Sequence, residues 1–167
     1  ADDVESIQIS TLKAGFALVA EPEELKKNPS SIVDAQFSMP FGAAIAVVHR
    51  NAFLEQYNHE NITSGAVKDL MTKVSCIHDS EIEKEFPRKW PARVELKTTD
   101  KGSFRAECDY PKGDPENPLS WEEIIVKFKN LVAPIMYTSK QDKIIDTVRN
   151  LENVADIAEL MNLMAKR

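Results

Sequence analysis

The sequence predicts an α+β fold: a small antiparallel sheet with helices packed on one face, followed by C-terminal helices. Three observations carry this reading. Ala92, Val94, Leu96 and Thr98 alternate with charged residues, and Phe104, Ala106, Cys108 and Tyr110 do so again after Thr99-Asp100-Lys101-Gly102, the pattern of a hairpin with one buried face. The run Ser38-Met39-Pro40-Phe41-Gly42-Ala43-Ala44-Ile45-Ala46-Val47-Val48-His49 reads as a capped helix that is apolar on every side, and such a helix must be surrounded by protein. Ser120 and Glu123 form a capping box ahead of an apolar stripe at helical spacing.

Taken in order, Ile7 and Ile9 alternate with Gln8 and Ser10, so residues 5 to 12 predict a strand. A loop rich in Glu, Lys and Pro follows from Glu21 to Pro29. The apolar helix starts near Ser38, because Pro40 fits only a first turn, and it ends near Arg50. Residues 53 to 58 and 64 to 73 are expected to be helical, Val74 to His78 a strand, and Ser80 to Phe86 a short helix closed by Pro87. After the hairpin, Trp121, Ile124, Ile125, Phe128, Leu131 and Val132 repeat at helical spacing as far as Pro134, a stripe expected to lie on the sheet. Thr138 with Gln141 predicts a second capping box, opening a helix through Leu151. A last helix is expected from Asn153 towards Ala165. Its Val154, Ile157, Leu160, Met161, Leu163 and Met164 cover more than one stripe, so it either folds back on its own domain or marks an interface.

At 167 residues the chain is long enough for one core, and 43% hydrophobic with 29% charged residues is an ordinary globular composition. The net charge of −6 argues against nucleic acid as a partner. Lys84, Arg88, Lys89 and Arg93 form one loose basic cluster, but Glu81, Glu83 and Glu85 lie beside it, the composition of a solvated surface. The longest apolar run, Phe41 to Val48, is far short of the ~20 residues that span a bilayer. The first residues, Ala1-Asp2-Asp3-Val4-Glu5, are acidic rather than basic and then apolar, so a cytoplasmic location is expected.

No Ser-His-Asp set, H-E-x-x-H, Gly-rich phosphate loop or Cys/His metal pattern is legible, and no catalytic residue and no metal ligand is assigned. Cys76 and Cys108 sit in strand-like runs as small hydrophobes. His49 closes the apolar helix, His59 lies in a polar turn, and His78 beside Asp79 has no nucleophile at a defined spacing. Two segments remain as candidate binding elements. If Ser38 caps its helix, the amides of Met39, Phe41 and Gly42 with the side chains of Gln36 and Ser38 offer donors to a small carboxylate; the alternative is a capped core helix with no ligand. Pro111-Lys112-Gly113-Asp114-Pro115-Glu116-Asn117-Pro118 is a stiff loop in which Lys112 either meets an anionic substrate or is simply solvated.

The stretches Asp34 to Ala46 and Tyr110 to Phe128 resemble the C-terminal part of the MmgE/PrpD family, whose members include 2-methylcitrate dehydratase, cis-aconitate decarboxylase and iminodisuccinate epimerase. The tail from Ser139 to Met164 is similar too. The resemblance implies a lid-like α+β domain over residues 1–134 and C-terminal helices over 135–167 that pack on a helical domain absent from this chain. It also implies a 2-methylcitrate dehydratase-like lyase of small di- and tricarboxylates, in the manner of propionate metabolism, working without a cofactor by proton abstraction beside a carboxylate, with an aconitate decarboxylase-like or iminodisuccinate epimerase-like member as the alternative. Most of the family's histidines and lysines belong to the helical domain and to a Lys-x-x-Pro-x-Cys type segment, neither found here. The family's F-S-L-P-Y motif often ends in tyrosine; the matching Phe41 has no hydroxyl. The substrate-binding candidates are thus Gln36, Ser38, Phe41 and Lys112. The expected partners are a small polycarboxylate, an N-terminal helical domain or partner chain, and a second copy in a homo-oligomer. Whether the chain is itself an enzyme stays open: a portion of a lyase inactive alone, a non-catalytic carboxylate-binding or oligomerisation module, or a self-sufficient enzyme using His78, Asp79 and Lys112.

Overall fold

A computed structural model of the chain describes residues 1–165. The order of elements is β1 (Val4–Thr11), α1 (Lys13–Val19), α2 (Glu23–Lys26), α3 (Ile32–Gln36), α4 (Met39–His49), α5 (His59–Thr63), α6 (Gly65–Thr72), β2 (Val74–His78), α7 (Ser80–Glu83), β3 (Ala92–Thr98), β4 (Gly102–Cys108), α8 (Trp121–Val132), α9 (Thr138–Arg149) and α10 (Ala158–Met164). The chain divides into two compact units, Ala1–Asn117 and a second beginning at Pro118.

The first unit is the expected α+β layer, with differences in its sheet, in α4 and in the helices before α4. Its four-stranded sheet has the order β2-β1-β3-β4; β1 pairs antiparallel with β3 and β3 with β4, but β1 and β2 run parallel, so the sheet is mixed. Parallel neighbours need a long crossover, and α1 to α6 supply it. The hairpin turns at Gly102, whose φ of 82° lies in the left-handed region where a side chain is strained.

Alternation along β1 sends Ile7 and Ile9 to the face that packs with Val74 of β2, Phe41, Ala44 and Ile45 of α4, and Val67, Leu70 and Met71 of α6. Each large side chain buried there contributes ~1.5–3 kcal/mol relative to exposure. The opposite face is polar: Gln8, Ser10, Arg93, Glu95, Arg105 and Glu107 surround an open cavity of about 390 Å³. Helix α4 buries one stripe only. Phe41, Ala44 and Ile45 are inside, Ala43, Val47 and Val48 are half-buried, and Ala46 is exposed, so an apolar side stays open where the sequence predicts enclosure.

Helix α2 forms inside the Glu21–Pro29 stretch expected as loop, and α1 and α3 form on either side of it where the sequence predicts no element. Among them Ser31 caps α3 by accepting from the Asp34 N–H at 3.1 Å, and Asp34 in turn accepts from the Ser30 hydroxyl at 2.8 Å.

In the second unit the Ser120–Glu123 capping box of α8 forms as expected. Helix α8 groups with α9 and α10 rather than with the sheet, and none of its residues is buried. It is tied to α9 by Lys129 with Asp142 at 2.8 Å and by Arg149 over the Trp121 ring at 5.8 Å. The second capping box does not form: the residue before α9 is Tyr137, and the Gln141 amide donates instead to the Met136 carbonyl at 2.8 Å. The final helix starts at Ala158 instead of Asn153, because Leu151–Asn153 forms a separate 3-10 turn. Leu160 turns inward, whereas Ile157, Met161 and Met164 are exposed.

Candidate functional site

The segment between α3 and α4 is where the sequence places a carboxylate site. Ser38 begins α4 in extended backbone, and its hydroxyl oxygen accepts from the Phe41 N–H at 3.1 Å. The same hydroxyl donates its proton to the Lys26 carbonyl, and the residue is 4% exposed. A hydroxyl has one proton to give, so Ser38 is committed within the fold. The Gly42 N–H is taken by the Ser38 carbonyl at 3.0 Å, and Pro40 has no N–H. Of the first-turn amides expected to face a ligand, those of Phe41 and Gly42 therefore serve the helix itself, which leaves that of Met39.

Phe41 is fully buried and packs against Tyr57 at 5.6 Å between ring centroids, a core position. Gln36 is exposed at the end of α3. Lys112 is exposed in the loop after β4, the edge strand on the far side of the sheet from β2, against which α4 packs. Its loop is held by Gly113 N–H to the Asn117 carbonyl at 2.8 Å and by the Asn117 amide to the Tyr110 carbonyl at 2.8 Å. Gly113, at φ 111°, takes a conformation that favours glycine. Of the four candidates, Ser38 and Phe41 are thus buried in the fold, and Gln36 and Lys112 are exposed on different segments.

A cation that sequence reasoning missed stands closer. Lys27, paired with Glu23 at 2.7 Å, lines a cavity of about 320 Å³ with Pro40 of α4 and Cys76 of β2. The signal was present as Glu23 and Lys27 at helical i,i+4 spacing. Burial pushes the Cys76 thiol up to about 11, which keeps it protonated and a poor nucleophile near neutral pH. A second cleft, about 440 Å³, opens beside Lys26, Asp34, Val33 and Phe37.

Two of the three histidines are engaged structurally. His49 Nε2 lies 2.9 Å from Asn61 Oδ1, and His78 Nε2 lies 3.3 Å from the Glu83 carboxylate, which also accepts the Lys13 N–H at 2.8 Å. Asp79 caps α7 by accepting from the N–H groups of Glu81 at 2.8 Å and Ile82 at 3.4 Å, and it meets Arg93 at 3.3 Å. The Glu81 amide, the Ile82 amide and the Arg93 charge hold its carboxyl below the usual range, the wrong direction for a base near pH 7. The loose basic cluster is neutralised locally: Lys84 by Glu81 at 2.7 Å, Arg88 by Glu85 at 2.8 Å and Lys89 by Asp109 at 2.7 Å. Among the described residues no three His, Cys, Asp or Glu side chains gather as a metal site, and no helix is long and apolar enough to cross a membrane.

The chain is 28% identical over 145 residues to the cis-aconitate decarboxylase-like protein oryM of Aspergillus oryzae, covering 86% of this chain and 29% of that protein. It is 28% identical over 145 residues to a cis-aconitate decarboxylase of Aspergillus terreus, with the same coverage. The chain thus spans 29% of the length of the curated relatives it matches. The profile of the MmgE/PrpD C-terminal domain matches residues 1–153, and the chain belongs to that family.

Proposed function

We propose that this chain is the lid-bearing C-terminal portion of a lyase that acts on small di- or tricarboxylates by proton abstraction without a cofactor, and that it is inactive alone. The match to the family's C-terminal domain over residues 1–153 carries the reading. In this proposal a helical domain, supplied by further chain or by a partner, brings the acid and base that move the proton. The first unit contributes a wall of the substrate pocket around the start of α4, with Gln36, the Met39 N–H and Lys27 as polar groups facing the carboxylates. Two features support it. His49, His78 and Asp79 are held in structural bonds, and α4, α10 and the residue before α10 leave apolar surface exposed at Ala46, Ile157, Met161 and Met164, as elements that await a further protein layer do.

Within the family, 2-methylcitrate dehydration was the sequence-based expectation. The names of the relatives favour a second reading, decarboxylation of cis-aconitate. The two are separated by mixing this chain with the helical portion of a relative and following carbon dioxide release from cis-aconitate beside water loss from methylcitrate. Activity towards one acid assigns the reaction; failure of both, with a complex demonstrably formed, refutes the lyase reading.

A further inference from the structure

Strand β4 is an open edge: it closes one side of the sheet, and all of its 7 residues are exposed. Edge strands are commonly blunted by proline, lysine or a bulge, because their unpaired N–H and C=O groups attract another strand. The sequence of β4, Gly-Ser-Phe-Arg-Ala-Glu-Cys, contains neither proline nor lysine, and its pairing with β3 runs without a shift from Gly102 to Cys108. Its two faces differ. Phe104, Ala106 and Cys108 share the side of Val94 and Leu96, with Phe104 54% exposed; Arg105 and Glu107 stand on the polar side.

We propose that β4 is a self-association edge, on which two copies of this chain pair antiparallel about a two-fold axis at Ala106 to form one continuous eight-stranded sheet. Charge selects that register. Facing residues in a sheet lie on the same face, so a two-fold axis must pass through a residue that meets its own copy. An axis at Arg105 sets arginine against arginine, and one at Glu107 sets glutamate against glutamate. An axis at Phe104 leaves Arg105 opposite the partner's Ser103. The axis at Ala106 places Arg105 opposite the partner's Glu107 and Glu107 opposite the partner's Arg105. On the apolar face it sets Phe104 against the partner's Cys108.

The intrachain pairs extend the pattern. Glu95 already meets Arg105 at 3.0 Å, and Arg93 meets Glu107 at 3.5 Å. Across the joined edge each row would read Glu95, Arg105, the partner's Glu107, the partner's Arg93, so the charges alternate without a like-charge neighbour. Opposite charges directly across a sheet attract and like charges repel, which makes the surface complementary to itself. This inference does not depend on the polycarboxylate reading.

Sedimentation of the full chain over a concentration series tests it, with far-UV circular dichroism as the check on folding. A dimer is expected. Arg105→Glu turns both cross-strand pairs repulsive and should weaken the dimer roughly tenfold or more, and the charge swap Arg105→Glu with Glu107→Arg should restore it. Should either variant lose its fold, Ala106→Cys in a Cys108→Ser background decides: facing residues lie ~4.5–5.5 Å apart between Cα atoms, within disulfide reach, so oxidation should link two chains, whereas Ser103→Cys in that background should not. A chain that stays monomeric, a dimer indifferent to Arg105→Glu, or an Ala106→Cys variant that does not cross-link overturns the proposal and leaves the edge to a strand from another protein.

Discussion

Replacing Ser38 by alanine removes one oxygen that does two jobs. The hydroxyl accepts from the Phe41 N–H at 3.1 Å and donates to the Lys26 carbonyl, in a position only 4% exposed. Losing an N-cap costs ~0.5–2 kcal/mol. Leaving a buried partner without its hydrogen bond costs ~1–3 kcal/mol, part of which is already counted in the cap. Together these give about 2–3 kcal/mol, since water reaches the Lys26 carbonyl more easily than the Phe41 amide. Urea unfolding followed by circular dichroism reads the difference as a fall in midpoint at constant slope. By heat the same loss corresponds to a drop of roughly 8 °C or more in a unit of this size. A loss under 0.5 kcal/mol would show that Ser38 is not holding α2 to the start of α4. Because the hydroxyl is committed to the fold, citrate affinity measured by calorimetry on the folded variant should change less than twofold; a large selective loss of binding would return Ser38 to the ligand.

Cys76, with its thiol pushed up to about 11, should react with a disulfide reagent at pH 8 far more slowly than the exposed Cys108. Its raised value means that the folded state holds the proton more tightly; the stabilisation is complete below the usual thiol value of 9.0 and is lost as pH rises through about 11. Between those limits Cys76→Ala should therefore lose less stability than the parent protein. The lowered carboxyl of Asp79 works in the other direction, contributing stability above the usual value of 3.8 that is lost as pH falls through its folded value, so Asp79→Asn should flatten the acid limb of a stability–pH curve. A Cβ on Gly42 would lie 3.5 Å from the Tyr57 hydroxyl, an ordinary contact, so Gly42→Ala should stabilise α4 by up to ~1 kcal/mol, whereas Gly113→Ala at φ 111° should destabilise by ~1–2 kcal/mol; thermal melting checks both.

What the sequence revealed and what it concealed follow the range of the interactions. Local patterns were legible: the alternation of Ala92 to Cys108, the Ser38 cap with Pro40 in the first turn, and the Ser120–Glu123 box each depend on neighbours a few residues away. The parallel pairing of β1 with β2 joins Ile7 to Val74, and alternation within a strand says nothing about the direction of its neighbour. Helices α1 to α3 are short and have little intrinsic stability, so packing and the Ser31 cap decide them. Thr138 and Gln141 had the spacing of a box, yet the Gln141 amide found the Met136 carbonyl, a choice that spacing cannot reveal. At the candidate site the missing donor of Pro40 was evident from its type. That Ser38 spends its proton on Lys26, and that Lys27 stands beside Pro40, depends on a fold-back of α2 that only the structure displays.

Turnover of cis-aconitate and methylcitrate by the purified chain, alone and after addition of the helical portion of a relative, is the decisive assay. The chain alone should convert neither acid, and conversion should appear on mixing in proportion to complex formed. Sustained conversion of either acid by the chain alone would contradict the proposal that the proton-moving groups come from a separate helical domain.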